Sequence, residues 1–172
     1  NSTNGKKIVV GGNTDLSAGG NITLDGPNDF KGTVSATGND VTLKDVNDIT
    51  LGNINAGGNL AVDAGGDIDQ NSTNGKKIVV GGNTDLSAAG NITLDGPNDF
   101  KGFVYANGLN ISLNDINDLK LGMVNASGNL AVRSNGNLNL GTSTVDGDLL
   151  ADSGNGRITQ IGAVQIAGYG TL

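Results

Sequence analysis

Apolar residues recur along this chain in short alternating runs. Each run begins with one apolar residue and has a second two positions later; the first residues are Ile22, Val41, Leu60, Ile92, Ile111 and Leu130. Alternation with a period of two predicts a strand with one buried face. The runs are bounded by Gly, Asn and Asp, which favour turns. Because no segment keeps a 3.6-residue apolar period, we expect essentially no helix.

The runs follow one another with a regular 19-residue spacing, except for a 32-residue gap between Leu60 and Ile92. A larger repeat contains this irregularity. Residues 1–32 recur at 71–102 with one change, Gly19 to Ala89, which gives a large 70-residue period. The longer gap places 13 extra residues at 71–83, and equally at 1–13 in the first copy. The sequence leaves open whether these residues form a protruding hairpin or an enlarged coil.

Three short strands in each 19-residue unit predict a parallel β-solenoid, or β-helix, with a triangular section. The rule for parallel crossovers predicts a right-handed coil. We expect one continuous all-β solenoid over residues 1–172. Its first copy is 1–70; its second copy is 71–140, extended by an extra coil to 160; residues 161–172 begin a further repeat.

Equivalent positions of a solenoid stack on one another, so the sequence predicts ladders at the turns. The structural turn ladder comprises Asn21, Asp40, Asn59, Asn91, Asn110, Asn129 and Asp148. Stacked amides can hydrogen-bond from coil to coil. A second acidic row comprises Asp29, Asp48, Asp67, Asp99, Asp118 and Asn137. We interpret that row as solvated turn residues, with weak calcium sites as the alternative, because Ca²⁺ prefers several oxygen ligands.

The composition excludes several kinds of chemistry. The chain has no His and no Cys, so it has neither a Ser/His or Cys/His catalytic pair nor a disulfide. The nearest candidates for a catalytic pair, Lys44 with Asp45 and the lysines Lys31 and Lys101, are interpreted as solvated surface. We therefore predict no enzyme activity, no catalytic or metal-binding residue and no cofactor. A net charge of −7 argues against nucleic acid as a partner.

Two small groups of residues are candidates for an interaction surface. Phe103 and Tyr105 flank the inward-facing Val104, whereas the first copy has Thr33 and Ser35 at the equivalent positions. Exposed aromatic side chains are enriched at interfaces. The second group is Lys76 and Lys77 in the extra segment.

Several segments resemble the repeats of filamentous-haemagglutinin-like exoproteins, the β-helical adhesins of the two-partner-secretion class. They are VTLKDVNDITLG (41–52), NLAVDAGGDIDQ (59–70), NITLDGPNDFKG (91–102) and NLGTSTVDGDLLADSGNGRITQ (139–160). The resemblance implies a right-handed β-helical shaft, an outer-membrane transporter as the partner during secretion, and a secreted or cell-surface location. It also implies a role in attachment, aggregation or biofilm.

Three functional hypotheses follow. The first is a shaft segment of a large secreted or surface-exposed bacterial adhesin, whose other parts bind a host-cell receptor, a surface or a glycan. The second is a self-assembling extracellular filament or matrix fibre, in which chains associate end to end or side by side. The third is a polysaccharide-binding or polysaccharide-cleaving β-helix. The chain begins inside a repeat, so we expect it to be a piece of a longer protein. No apolar run approaches the ~20 residues of a membrane-spanning helix.

Overall fold

The structure is a computed structural model that describes residues 6–71 and 73–172. Its strands are β1 (Val9–Val10), β2 (Thr14–Ser17), β3 (Ile22–Phe30), β4 (Thr33–Gly38), β5 (Val41–Asp45), β6 (Ile49–Ala56), β7 (Leu60–Ala64), β8 (Ile68–Gln70), β9 (Ile78–Val80), β10 (Thr84–Ala88), β11 (Ile92–Phe100), β12 (Phe103–Gly108), β13 (Ile111–Asp115), β14 (Leu119–Ala126), β15 (Leu130–Ser134), β16 (Leu138–Asn139), β17 (Thr142–Val145), β18 (Leu149–Asp152), β19 (Ile158–Thr159), β20 (Val164–Ile166) and β21 (Gly170–Thr171). A single 3-10 turn, Thr73–Gly75, interrupts the strands, and the described residues contain no α-helix.

All the strand pairs are parallel, and the strands form two sheets of 11 and 10 strands. The first sheet runs β1-β3-β5-β7-β10-β12-β14-β16-β19, with β17 and β20 beside this path. The second runs β2-β4-β6-β8-β11-β13-β15-β18-β21, with β9 beside it. Ile22 pairs with Val41, and Val41 pairs with Leu60, which gives the regular 19-residue coil. The predicted parallel β-solenoid is confirmed, and the chain makes about eight turns.

The longer strands bend around a corner of the solenoid. The first half of β6 pairs with β8 through Ile49 and Ile68, while its second half pairs with β9 through Ile54 and Ile78. Strand β14 divides in the same way between β16 and β17. Each coil therefore consists of three short straight segments, in agreement with the three short strands predicted for each 19-residue unit.

The core is a continuous stack of inward-facing aliphatic side chains. In β5 and β13 the first, third and fifth residues are buried and the others are not, which is the alternation expected of a strand with one wet face. Phe30 and Phe100 lie inside the coil. Backbone groups at the turns also pair from coil to coil; for example, the N–H of Val41 donates to the carbonyl of Asn59 at 2.9 Å.

The extra segment 71–83 forms an enlarged coil rather than a protruding hairpin. Leu60 pairs with Thr84, and Ile68 pairs with Ile92, so this is a 24-residue coil. It is therefore five residues longer than its neighbours. The 3-10 turn takes up part of the extra length, and β9 then joins the second sheet. In the first copy, residues 1–5 of the segment 1–13 lie outside the described residues.

The enlarged coil shifts the second copy around the rod. Strand β5 lies in the first sheet, whereas β13, its equivalent in the second copy, lies in the second sheet. We expected Leu60 to be followed in its stack by Ile92, and that expectation is wrong, because Leu60 pairs with Thr84 and Ile92 pairs with Ile68. The physical reason is that backbone pairing follows the length of each coil, and the 24-residue coil moves the apolar series to the next segment.

Candidate functional site

The predicted aromatic residues lie at the start of β12, an interior strand of the first sheet. Val104 is fully buried, while its two chain neighbours reach the surface: Tyr105 is 37% exposed and Phe103 is half-buried. The two ring centroids are 6.4 Å apart and the ring planes are tilted by 46°. Met123, which sequence reasoning did not select, lies beside Tyr105 and is 59% exposed. We call Phe103, Tyr105 and Met123 the aromatic corner.

A local irregularity in the strand pairing positions the Tyr105 ring. Val104 pairs with Leu121, but Ala106 pairs with Val124, so Tyr105 faces the two residues Gly122 and Met123 of β14. A Cβ atom added to Gly122 would collide with the Tyr105 ring. The ring therefore lies against the backbone of Gly122 in the next coil, in space that a larger side chain at this position would occupy.

A shallow groove of about 340 Å³ lies along the aromatic corner. Its lining includes Tyr105, Met123, Asp85, Asn107 and Asn125. Asp85 is exposed and is the direct strand partner of Tyr105. The groove thus combines an apolar aromatic wall with one carboxylate and two amides.

The first copy has polar residues at the equivalent corner, and another part of the chain lies against them. Thr33, Ser35 and Asn53 replace Phe103, Tyr105 and Met123. The side-chain amide of Asn71 donates to Thr33 Oγ1 at 3.2 Å, and the N–H of Lys77 donates to Asn53 Oδ1 at 3.1 Å. The enlarged coil therefore contacts the first corner directly.

The predicted lysines belong to that same enlarged coil. We call residues 73–77 the lysine segment. It begins with the 3-10 turn, in which Gly75 has a φ of 68°, a conformation that favours glycine. Lys76 is half-buried and its carbonyl accepts a hydrogen bond from Gln70 at 3.3 Å, while Lys77 is exposed. Within the described residues, neither lysine takes part in an ion pair.

The structure does not bring the lysines and the aromatic residues into one site. Lys77 precedes β9, whose strand partners are β6 and β11. Phe103 begins β12, whose partners are β10 and β14. The two groups are therefore separate surfaces of the same chain.

The predicted turn ladder exists, but it divides at the enlarged coil. Asn21, Asp40 and Asn59 are joined as expected, and Asn59 then bonds to Asn83 rather than to Asn91. Asn91 continues the row of Asp48 and Asp67 instead. That second row runs on through Asn110, Asn129 and Asp148. The 24-residue coil causes the exchange, as it does for the apolar stack.

Each ladder works through side-chain oxygen and backbone N–H. Asp40 Oδ1 accepts from the N–H of Asn59 at 2.8 Å, and Asn110 Oδ1 accepts from the N–H of Asn129 at 2.9 Å. Because only the acceptor oxygen is needed, Asp and Asn are interchangeable in this role. Asp48, Asp67 and Asp118 of the acidic row use their carboxylates in the same way.

Asn137 continues this ladder by accepting from the N–H of Arg157 at 3.1 Å, whereas Asp29 and Asp99 form ion pairs. Asp29 lies 2.7 Å from the Lys31 ammonium and 3.5 Å from that of Lys7, and Asp99 lies 3.4 Å from that of Lys101. The hydrogen bond from Lys31 lowers the pKa of Asp29, and the same contact raises the pKa of Lys31. In the part of the chain that the structure describes, no group of three or more His, Cys, Asp or Glu side chains is placed to hold a metal ion.

Sequence reasoning missed a set of buried polar residues at one corner of each copy. Asp45 and Asp115 are each about 1% exposed, and Asn28 and Asn98 are fully buried. Asp115 accepts from the N–H groups of Phe100 and Asn117, both at 2.7 Å. Burial raises the pKa of Asp115, and these two hydrogen bonds oppose the change. The sequence signal that could have identified them is their recurrence, because Asn28 and Asp45 reappear 70 residues later as Asn98 and Asp115.

The interpretation of Lys44 and Asp45 as one solvated pair is wrong for Asp45. Asp45 is buried and accepts from the N–H of Phe30 at 2.8 Å. Lys44 points to the other side of the strand and pairs with Asp63. The second Asp45 oxygen accepts from the N–H of Asn47 at 2.9 Å. A buried carboxylate that accepts a backbone N–H on each oxygen stabilises the corner, and its burial separates it from the surface.

Over residues 6–71 and 73–172, no helix has the length and apolar character needed to cross a membrane. A search of curated proteins and a search of solved structures both gave no match. A family model described as repeats of unknown function (DUF5649) matches four stretches: 2–37, 38–107, 108–139 and 128–172. One of these stretches, 38–107, has the length of one 70-residue repeat. The chain therefore belongs to the DUF5649 family of repeat proteins.

Proposed function

We propose that this chain is a segment of the rigid shaft of a large secreted or surface-exposed bacterial adhesin. The observation that carries the proposal is the continuous coil-to-coil pairing of parallel strands, which makes a rod whose length grows with the number of repeats. The resemblance to filamentous-haemagglutinin-like repeats supports a route through an outer-membrane transporter to the cell surface. In this proposal the receptor, surface or glycan is bound by other parts of the longer protein, and this segment has no enzyme activity.

The ladders and the buried carboxylates suit such a shaft. They join each coil to the next at the turns, where the sheets alone would leave backbone N–H groups unpaired. A stack held at its core and its corners resists bending and local opening, and a rod that carries a binding tip away from the cell needs both properties.

An in-frame deletion of one repeat in the full-length protein tests this function. Removing residues 71–140 shortens the rod by a little more than three coils, or about 16 Å at ~4.8 Å per coil. We expect shorter projections in electron micrographs and unchanged attachment of the cells. The deletion variant must reach the surface in the same amount as the unaltered protein. Loss of attachment at equal surface display would place binding within this segment and contradict the shaft proposal.

A self-assembling extracellular fibre is the second candidate, and the exposed aromatic corner is the observation that favours it. The same micrographs distinguish the two functions. Single rods with a distinct tip support the shaft, whereas long filaments in which an antibody to this segment labels regular positions along the axis support the fibre.

A further inference from the structure

The aromatic corner differs from the first-copy corner in the chain segment that contacts it. In the first copy, the 24-residue coil brings Asn71 and Lys77 onto Thr33 and Asn53. In the second copy, the coil above β14 has the short 19-residue length, since Leu119 pairs with Leu138, and Met123 pairs with Thr142. No counterpart of the lysine segment lies there among the described residues, and Tyr105 and Met123 are left exposed.

The chemistry of the aromatic corner suits an ammonium group on an aliphatic stem. Two tilted rings, one of them held against Gly122, offer aromatic faces to a cation. Met123 adds apolar surface on which the methylene groups of a lysine can pack. The Asp85 carboxylate beside Tyr105 supplies the opposite charge.

The lysine segment has the complementary properties. Lys77 is exposed, and neither Lys76 nor Lys77 has an ion-pair partner among the described residues. The chain has only 10 cationic residues against 17 acidic ones, so two adjacent unpaired lysines stand out in its charge pattern. This coil also contacts the equivalent corner of the first copy within the same chain.

We propose that the aromatic corner of one chain binds the lysine segment of a second copy, with Lys76 and Lys77 placed against Phe103, Tyr105 and Asp85. The two surfaces differ and lie on different coils, so the contact is heterologous. Each bound chain still offers a free aromatic corner at one side and a free lysine segment at the other. Association therefore continues beyond a dimer unless the geometry closes a ring.

This inference goes beyond the shaft proposal and does not depend on it. A shaft that carries an adhesin needs no contact between neighbouring rods, and a side-by-side contact needs no adhesive tip. An unaltered chain that does not self-associate, on cells that attach normally, would contradict only the side-by-side contact. The deletion of residues 71–140 removes both surfaces of that contact, so its attachment is compared with that of the variant Phe103→Thr with Tyr105→Ser. Attachment lost in the deletion and kept in that variant would contradict only the shaft.

Sedimentation velocity of the 172-residue chain over a concentration series tests the contact. The corner variant, Phe103→Thr with Tyr105→Ser, restores the first-copy residues. The segment variant is Lys76→Gln with Lys77→Gln. We expect the unaltered chain to form species larger than a dimer, and each variant alone to associate at least about tenfold more weakly, as loss of a cation–π contact and its ion pair implies. Added salt weakens the association for the same reason.

A mixture of the two variants gives the sharpest result. The corner variant retains its lysine segment and the segment variant retains its aromatic corner, so one productive contact remains between them. We expect the equimolar mixture to form a 1:1 dimer and to stop there. The matched control is Leu109→Asn, which restores the first-copy residue at another exposed apolar position of the second copy, and it should associate like the unaltered chain.

Any one of four results would overturn the proposal. The first is an unaltered chain that stays monomeric at all concentrations. The second is association that survives both variants, which would indicate pairing at the strand edges instead. The third is a mixture that forms no dimer although circular dichroism shows both variants folded. If the corner variant loses binding to a saccharide array while self-association is unchanged, the occupant of the corner is a sugar and not a second copy.

Discussion

Residues 22–30 and 92–100 have the same nine-residue sequence, ITLDGPNDF, yet they lie in different sheets. Their local structure is the same. Asn28 Nδ2 donates to the carbonyl of Leu24 at 2.9 Å, and Asn98 Nδ2 donates to that of Leu94 at 3.0 Å. A coil therefore takes its local shape from its own sequence and from the adjacent coils. The sheet to which its strands belong depends on the lengths of the coils that precede it.

The two segments differ in the neighbours that the enlarged coil provides. Asn98 exchanges hydrogen bonds with Gln70, at 2.7 Å and 3.0 Å. The same Asn98 oxygen also accepts from the N–H of Ile78 at 2.9 Å. Asn28 accepts from the N–H of Ile8 at 3.1 Å. The Gln70 side chain therefore ties the corner of the second copy to the enlarged coil, and the equivalent position of the first copy would precede residue 1.

Deletion of residues 71–83 should place the strands of the second copy in the same sheets as their first-copy equivalents. Without them the 19-residue spacing is unbroken, so Leu60 should pair with Ile92 instead of Thr84. The measurement is disulfide formation in this cysteine-free chain, because strand partners lie close enough to be bridged. We expect Ala61→Cys with Thr93→Cys to form a bridge only in the deletion variant.

The matched control is Asp69→Cys with Thr93→Cys, since Asp69 and Thr93 are strand partners in the unaltered chain. This pair should form a bridge only without the deletion. An unchanged pattern of disulfide formation in the deletion variant would mean that segment 71–83 does not determine which strands the second copy pairs with.

Equivalent core residues should contribute equally although they lie in different sheets. Leu43 and Leu113 occupy the same position of the two copies and are both buried. Leu43→Ala and Leu113→Ala should each lower the free energy of unfolding by about 2–5 kcal/mol, because each leaves a cavity in the stack. Chemical denaturation measures both, and the two losses should agree within about 0.5 kcal/mol. A large difference would mean that the two sheets are not equivalent environments.

The sequence predicts the strands well because each strand depends on its own alternation. Val41 to Asp45 and Ile111 to Asp115 are strands with buried first, third and fifth residues. The change of sheet in the second copy could not be predicted. It requires Leu60 to pair with Thr84, which places a polar residue in an apolar stack. In the candidate surface, the alternation of buried and exposed residues predicts the exposure of Tyr105. The contact of its ring with Gly122 depends on an irregular strand pairing, which no sequence pattern predicts.

Thr84 is the polar residue that the enlarged coil places in the apolar stack, and the hydroxyl of its first-copy equivalent Thr14 is likewise buried without a hydrogen-bond partner. Its side chain is fully buried between Leu60 and Val104, and its hydroxyl has no hydrogen-bond partner. Thr84→Val should raise the free energy of unfolding by about 1–2 kcal/mol, because a buried hydroxyl without a partner is unfavourable. Thermal or chemical unfolding measures the change. A loss of stability would show that the hydroxyl is satisfied.

The ladder can be tested by exchanging residues between the copies. Asp40 and Asn110 are equivalent, and both accept from the backbone of the next coil. Asp40→Asn and Asn110→Asp should each change the free energy of unfolding by less than about 0.5 kcal/mol, because the acceptor oxygen remains. Asn110→Ala should lower it by about 1 kcal/mol, because the N–H of Asn129 loses its partner. Equal effects of Asp and Ala at position 110 would show that the ladder hydrogen bonds do not contribute to the free energy of unfolding.

The smallest expected effect is on the pH dependence of stability. Asp115 and Asp29 should contribute to the free energy of unfolding with opposite dependence on pH. Burial holds the pKa of Asp115 above its ordinary value of 3.8, so the folded chain binds a proton at higher pH than the unfolded chain. The contribution of Asp115 to stability therefore increases as the pH falls towards 3.8. The Lys31 contact holds the pKa of Asp29 below 3.8, so its contribution is complete above that pH and is lost as the pH falls further.

Unfolding free energies between pH 3 and pH 6 test these opposite signs for the unaltered chain, Asp115→Asn and Asp29→Asn. The stability of the unaltered chain relative to Asp115→Asn should rise as the pH falls towards 3.8. Its stability relative to Asp29→Asn should fall below that pH. Asn at 115 has one carbonyl oxygen for two backbone N–H groups, so that variant is also less stable at every pH. Parallel curves would mean that neither carboxyl titrates differently on folding. Opposite slopes would show that burial dominates at Asp115, whereas the Lys31 contact dominates at Asp29.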